Sequence, residues 1–326
     1  MKARKLPSGN YRVQVRYEGK RYSFTARKRA DAETQAREFL ERKADVTATP
    51  LGEAIDQYID LKRNLLSPAT VRGYEKIRRN NLQELMDIPI RDLEMETVQR
   101  AINIMAADHT PKSVRNSYGL VSATLGVFAP SLRLRITLPT ETPREYHVPT
   151  TKDLNKLLDA ASENMKTAIM LAALCSMRRS EIVALRSEDI DGNRIHIKRA
   201  AVHNSYGETI IKSTKTYKSD RYVTAPDVVV NHIKEKKGRV CPIALSTISK
   251  EFGRIRRLAG VECRFHDLRH YYASVLHAIH VPDQYIMASG GWKTDTVLKR
   301  VYRNTLSDFE KANARKATRY FNKNIV

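Results

Sequence analysis

His266-Asp267-Leu268-Arg269-His270 puts two histidines and an arginine at positions i, i+3 and i+4. At helical pitch such side chains lie on one face. Leu268, Tyr272, Val275, Leu276 and Ile279 are read as the opposite, buried face. The helix would then present a compact group of phosphate-binding donors. A lone tyrosine, Tyr302 in Val301-Tyr302-Arg303, follows downstream. Together they invite a search along the chain for the rest of a phosphoryl-transfer site.

The composition points to a polyanionic partner. The 326 residues carry 58 Lys+Arg against 36 Asp+Glu, a formal net charge of +22, which favours nucleic acid over a neutral ligand. The excess is uneven: residues 1–45 hold 13 basic and 6 acidic side chains, residues 46–140 hold 12 and 10, and residues 141–326 hold 33 and 20. At 41% hydrophobic residues the chain can build globular cores. No apolar run nears the ~20 residues of a membrane-spanning helix. The longest, Ala168 to Cys175, is broken by Ser176 and Arg178, and the basic N-terminus lacks an apolar signal-peptide core. Three scattered cysteines, Cys175, Cys241 and Cys263, fit a reducing compartment and argue against a disulfide scaffold.

Residues 10–25 alternate, with Tyr11, Val13, Val15 and Tyr17 on one face and Arg12, Gln14 and Arg16 on the other. Glu18-Gly19-Lys20 makes a turn, and Arg21 to Thr25 resumes the alternation, so a hairpin is expected. A helix with Ala32, Ala36, Phe39 and Leu40 on one side would back it. The outer face offers Arg12, Arg16 and Arg21 to a DNA groove. Residues 49–128 read as helices only. Thr49-Pro50, Ser67-Pro68 and Thr110-Pro111 each place a capping side chain before a proline at the first helical position. Arg72, Lys76 and Arg79 recur on one helix face, and Lys112 and Arg115 crowd a helix start, where backbone N–H groups also favour phosphate. Prolines 130, 139, 143 and 149 mark a linker, after which Thr150-x-x-Asp153 forms a capping box. The pattern is then helical to about Ser187. Strands follow at Arg194–Ala200, Thr209–Lys215 and Arg221–Thr224, with Lys215 at a hairpin tip, and helices resume to the C-terminus.

Cleaving a phosphodiester without a metal needs charge neutralisation around the phosphorus, which two arginines supply. It needs a nucleophile, a base for its proton and an acid for the leaving alkoxide, and Tyr, His and Lys fill those roles. In order and spacing the chain resembles the tyrosine recombinase (phage integrase) family. The resemblance rests on Ser176-Met-Arg178-Arg-Ser-Glu181, Lys215 in Ser-Thr-Lys-Thr, His266-x-x-Arg269-His270, Trp292 in Gly-Gly-Trp-Lys, and Tyr302. Leu6-Pro-Ser-Gly-Asn-Tyr-Arg-Val resembles the family's arm-site-binding domain, and Leu66-Ser-Pro-Ala-Thr-Val-Arg-Gly-Tyr74 its helical core-binding domain.

The resemblance implies roles. Arg178 and Arg269 would clamp the scissile phosphate, Lys215 would protonate the leaving 5′-oxygen, and His266 would serve as base or proton relay for Tyr302. His270 and Trp292 would bond the phosphate or buttress the site, and Glu181 would support the arginine and histidine geometry. Tyr302 would become a 3′-phosphotyrosine, and because the bond energy is kept, no cofactor, metal or ATP is expected. Trp292 stands where histidine is commoner, and Ser176 where glycine is usual. Lys212 and Lys218 stay open as alternatives to Lys215.

The implied fold is multi-domain and mainly α with small antiparallel sheets. It comprises an N-terminal three-stranded sheet plus helix over 1–45, a helical core-binding bundle over 46–135, a linker over 136–149 and a mixed α/β catalytic domain over 150–326. The implied protein is a site-specific integrase of a phage or mobile element. It would work in the cytoplasm of a bacterial host at the nucleoid, as a homotetramer on double-stranded DNA with core-type and arm-type attachment sites. A directionality factor and a host DNA-bending protein are candidate partners, and no membrane is involved. A segment after Tyr302, with Leu306, Phe309, Ala312 and Tyr320, would pack on a neighbouring subunit, or else in cis. Three other readings compete: a zinc protease using His266 and His270, a non-catalytic architectural DNA-binding protein, and a relaxing topoisomerase of the same chemistry. The first lacks a third ligand, the second leaves the catalytic residue types unexplained, and the arm-type domain argues against the third.

Overall fold

The computed structural model describes residues 2–17, 19–141, 147–213, 220–292, 294, 315 and 318–319. It divides into two units, Met1–Pro143 and Arg144–Val326. Lys215, Lys218 and Tyr302 lie outside the described residues, as do Leu306, Phe309, Ala312 and Tyr320.

The first unit opens with an antiparallel sheet in the order β1 (Arg4–Lys5), β2 (Tyr11–Tyr17), β3 (Lys20–Ala26). The alternation decides its faces. Val13 and Val15 are buried against Ala32 and Ala36 of α1 (Arg29–Ala48). Tyr22 and Phe24 pack on Phe39, the Tyr22 ring 4.6 Å away. Arg12, Gln14, Arg16 and Arg21 stay exposed on the other face, with Arg16 directly opposite Arg21 and Arg4 opposite Arg12. Helix α1 runs on to Ala48, past the boundary expected at residue 45.

A bundle follows: α2 (Leu51–Lys62), α3 (Pro68–Asn80), α4 (Met95–Asp108) and α5 (Pro111–Phe128). Its core gathers Leu51, Ile55, Leu85, Ile90, Ile102, Leu120 and Val121. Ser67 and Thr110 cap α3 and α5 as their sequences predict, accepting from the N–H of Thr70 and Ser113. Thr49 does not cap α2. The helix starts at Leu51 because the chain there runs beside residues 86–90: Leu51 N–H donates to Ile88 O, Gly52 N–H to Met86 O, and Ile90 N–H to Thr49 O. Backbone carbonyls thus take the N–H groups that a cap would have satisfied. The proline-rich stretch expected as a linker is fastened to the bundle through residue 139. Leu132, Leu134, Ile136 and Leu138 pack on the core, Tyr118 donates to Leu134 O, and Gln99 both donates to and accepts from the Thr137 backbone.

The second unit is built around α7 (Glu163–Leu174). From Met165 to Ala173 nearly every side chain is buried, as befits a central helix surrounded by others. Around it stand α6 (Thr151–Asp159), α8 (Arg179–Ala184), α9 (Asp227–Ile233), α10 (Leu245–Leu258), α11 (Asp267–Ala278) and α12 (Asp283–Gly290). The capping box at Thr150 and Asp153 forms as predicted.

The strand region forms two sheets. The first expected strand breaks at Lys198, whose ammonium meets buried Asp189 at 3.0 Å. One sheet has the order β4 (Ile190–Asp191), β5 (Arg194–Ile197), β8 (Arg221–Thr224), and the other pairs β6 (Arg199–His203) with β7 (Thr209–Ser213). The hairpin tip is therefore Asn204 to Glu208, where Asn204 Oδ1 accepts from the N–H of Tyr206 and Glu208. Lys215 follows β7 in the sequence and lies outside the described residues.

Candidate active site

Helix α7 ends at Leu174, and two residues on Ser176 adopts the left-handed conformation with φ 51°. That explains why glycine would suit the position: it alone enters this region without strain from a Cβ. The reversal delivers Arg178 to the start of α8. Glu181, three residues on, accepts from Arg178 N–H at 2.8 Å and from Arg178 Nη1 at 2.6 Å.

Helix α11 brings Arg269 and His270 alongside, with His266 at its N-cap. The His266 and His270 rings meet edge to face at 5.3 Å. The expected division into an apolar face and an open polar face does not hold. Arg269 and His270 are buried, Ile279 is exposed, and His266 alone of the three polar groups is open to solvent. The polar side of α11 packs inward against α12, which supplies the partners a buried guanidinium requires.

Those partners are three successive carbonyls at the C-terminal end of α12. Ser289 O accepts from Arg221 Nε at 2.8 Å, Gly290 O from Arg269 Nη2 at 2.7 Å, and Gly291 O from Arg178 Nη2 at 2.8 Å. A helix C-terminus leaves its last carbonyls unpaired and carries partial negative charge, so it attracts cations. Both glycines are needed. A Cβ on Gly290 would overlap the Trp292 indole, and Gly291 has φ 64° and lies against the Arg221 side chain. Trp292 is half-buried, its ring 5.1 Å from the Arg269 guanidinium carbon, a cation–π contact.

Three guanidiniums and one buried carboxylate therefore share the pocket. Burial alone would raise the Glu181 pKa; the hydrogen bonds and charge of Arg221, then the charge of Arg178, override it and hold it at about 2. Burial, then the Arg178 charge, pulls Arg269 down to about 9, still cationic at neutral pH. Among the described residues, Arg269 Nε and Nη1 have no hydrogen-bond partner although they are buried. Desolvation and the Arg269 charge lower His266 to about 4, and desolvation and His266 lower His270 to about 4. Both imidazoles are neutral at pH 7. The three cysteines are buried with raised thiol pKa values and take no part.

The structure thus brings together Arg178, Glu181, His266, Arg269, His270 and Trp292. Arg221 was missed by the sequence reading, although a signal existed: it occupies the inward phase of a strand, alternating with exposed Tyr222 ahead of buried Val223, and an inward charge demands a buried partner. In the first unit, Arg72, Lys76, Arg79 and Lys112 are exposed, on α3 and α5. Arg115 instead donates twice to Pro139 O, fastening the proline-rich stretch.

Residues 148–308 match the phage integrase family. The integrase of Salmonella phage P22 is 27% identical over 168 residues, covering 45% of this chain and 41% of its own length. The chain thus matches about two-fifths of that relative. The integrase ascribed to prophage phiRv2 of Mycobacterium tuberculosis is 26% identical over 257 residues, covering 69% of this chain and 67% of its own. Among solved structures, the Tn1549 transposon integrase bound to transposon right-end DNA superposes with a TM-score of 0.67 at 14% identity, over 82% of this chain and 99% of that one. A lambda integrase dimer bound to a COC′ core site superposes with a TM-score of 0.62 at 16% identity, over 92% and 94%. These structures share the fold, mainly helical with small antiparallel sheets. The match to the phage integrase family lies entirely within the second unit.

Proposed function

We propose that the chain is a site-specific integrase of a phage or mobile element that cuts and rejoins DNA through a 3′-phosphotyrosine. The observation that carries this reading is the guanidinium cluster on the end of α12, with two buried Arg269 donors left unpaired. A buried, unpaired N–H costs about 1–3 kcal/mol, and a phosphate oxygen would satisfy it.

In this reading the scissile phosphate sits against Arg269 and Arg178, which offset its charge as the phosphorane develops. The Tyr302 hydroxyl attacks phosphorus, its proton passing to the neutral His266. The P–O5′ bond breaks, Lys215 gives the leaving oxygen its proton, and the DNA 3′ end is left on Tyr302. His266 is a weak base at a pKa of about 4. An anionic phosphate beside Arg269 would offset the charge that depresses it and raise its basicity. A second DNA 5′-hydroxyl reverses the steps, with no cofactor.

The chain would divide into an arm-type DNA-binding part to about residue 48, a core-binding bundle, and a catalytic domain from about residue 150. Arg12, Arg16 and Arg21 would meet arm-type sites, and Arg72, Lys76, Arg79 and Lys112 core-type sites. Lambda integrase has been seen as a tetramer on a Holliday junction, and four copies of this chain on two duplexes are the assembly proposed here. A directionality factor, a host DNA-bending protein and action at the bacterial nucleoid belong to the same proposal.

The test is trapping on a nicked suicide substrate carrying the element's flanking sequences. The wild-type protein should form a covalent adduct that peptide mapping places on Tyr302. Tyr302→Phe should bind the same DNA and form none. An adduct that persists in Tyr302→Phe removes the nucleophile assignment.

A further inference from the structure

Arg221, the first residue of β8, differs from the other two arginines of the pocket in how its donors are used. Nε donates to Ser289 O at 2.8 Å, Nη1 to Glu181 Oε1 at 3.1 Å, and Nη2 to Glu181 Oε2 at 2.9 Å and Ser176 O at 3.2 Å. Its side chain is 5% exposed, whereas that of Arg178 is 35% exposed. Arg269 keeps two nitrogens, Nε and Nη1, with no partner among the described residues, and Arg178 keeps access to solvent. Each of the Arg221 nitrogens bonds protein.

We infer that Arg221 is a positioning residue: it holds the Glu181 carboxylate and the end of α12 so that Arg178 is presented to the phosphate in one orientation. This rests on the recombinase reading of the same pocket. Glu181 receives four N–H groups on two oxygens, two from Arg178 and two from Arg221. The Arg221 fork fixes both oxygens, leaving Arg178 one guanidinium bond to Glu181 and one to Gly291 O. Without that fork the carboxylate is free to turn both oxygens onto the Arg178 guanidinium, the preferred geometry of an isolated pair. Such a turn would draw Arg178 away from Gly291 O. Arg221 also ties Ser289 O, just before the two carbonyls that hold Arg269 and Arg178. Gly291 makes room for it, since a Cβ there would lie 3.2 Å from Arg221 Nη1. The same residue bridges the turn at Ser176, the start of α8 and the end of α12, the elements that carry Arg178 and its carbonyl partner.

Lysine would keep the charge at 221 but not the planar fork. The experiment therefore compares full-length wild type and Arg221→Lys on two suicide substrates, one with the native scissile phosphate and one with an uncharged methylphosphonate there. DNA affinity and melting temperature are measured alongside. On phosphate, Arg221→Lys should bind DNA as wild type does and form the Tyr302 adduct about 100-fold more slowly, the scale expected for a misplaced catalytic group. On methylphosphonate, which has no charge for Arg178 to offset, the deficit should shrink to less than about tenfold by the same reasoning. Adduct formation at the wild-type rate on phosphate overturns the inference. So does an equal deficit on both substrates, which is the signature of a folding defect. If Arg221→Lys melts below the assay temperature, wild type and variant are compared on both substrates below the variant's melting temperature, with the same expected and overturning results. Absence of any adduct with the wild type overturns the recombinase reading itself, and this inference with it.

Discussion

Glu181 is the only carboxylate bonded to Arg178 or Arg221 among the described residues, and it holds two arginines at once. A carboxylate this buried would be costly without such partners. With them it is fixed in place, and so are they. Ser176 beside it shows the opposite economy. Its φ of 51° is unfavourable for any residue with a Cβ, and its buried hydroxyl has no hydrogen-bond partner among the described residues. The left-handed conformation costs about 1–2 kcal/mol, and the orphan hydroxyl adds to that. Ser176→Gly gives back part of the gain through the added freedom of its unfolded chain. It keeps the carbonyl that Arg221 uses. The variant should be more stable by about 1 kcal/mol in urea denaturation, a balance of those three effects. Equal or lower stability would mean that the hydroxyl has a partner or that the void left behind matters more.

At the scale of elements, α11 shows how much the sequence conveys and where it stops. Its spacing places His266, Arg269 and His270 together, and they are together. The spacing carries no information on whether that face looks outward, because a helix docked on two sides has the same local periodicity as one docked on one. Only α12, arriving from farther along the chain, decides that the face is buried. Arg221 escaped for a related reason: its partners, Ser176, Glu181 and Ser289, are brought to it by the fold from across the domain. The caps of α3, α5 and α6 were legible because a cap is a local contact; α2 was misread because its first N–H groups are satisfied by a distant backbone.

Burial of His270 on α11 also has a consequence for stability. Its folded pKa of about 4 lies below the ordinary 6.5, so the unfolded chain binds the proton more readily. The contribution is complete above pH 6.5 and is lost as pH falls from 6.5 towards 4. At pH 5 this amounts to about 2 kcal/mol for His270. His266 shifts in the same direction but is open to solvent, so its share is smaller. Urea denaturation at pH 7.5 and pH 5 should therefore show a smaller acid loss in His270→Gln than in wild type. An identical loss in both would show that other groups govern the acid side.

At the scale of the whole molecule, the unequal distribution of charge finds its clearest expression in the N-terminal sheet. Arg4 faces Arg12 and Arg16 faces Arg21 across neighbouring strands, all on the exposed side. Like charges placed directly opposite destabilise a sheet, and the alternation that put them there is the same one that buries Val13 and Val15. The arrangement is unfavourable for a free domain and favourable for one that meets a polyanion. The exposure of the basic face was therefore legible in the sequence, while the pairing of its arginines required the strand register. Replacing both members of one pair, Arg16→Gln with Arg21→Gln in the full-length chain, should relieve the repulsion and leave stability equal or higher by a few tenths of a kcal/mol. Cleavage of a suicide substrate that carries only the core site should be unchanged, since that chemistry is proposed to reside in the second unit. Binding to arm-type DNA should weaken, and the slope of log K against log salt should become shallower by about 1.8, the release of two phosphate contacts. A slope equal to that of wild type would remove this face from the DNA interface, and slower cleavage on core-only DNA would show that the sheet acts on the catalytic unit as well as on a separate site.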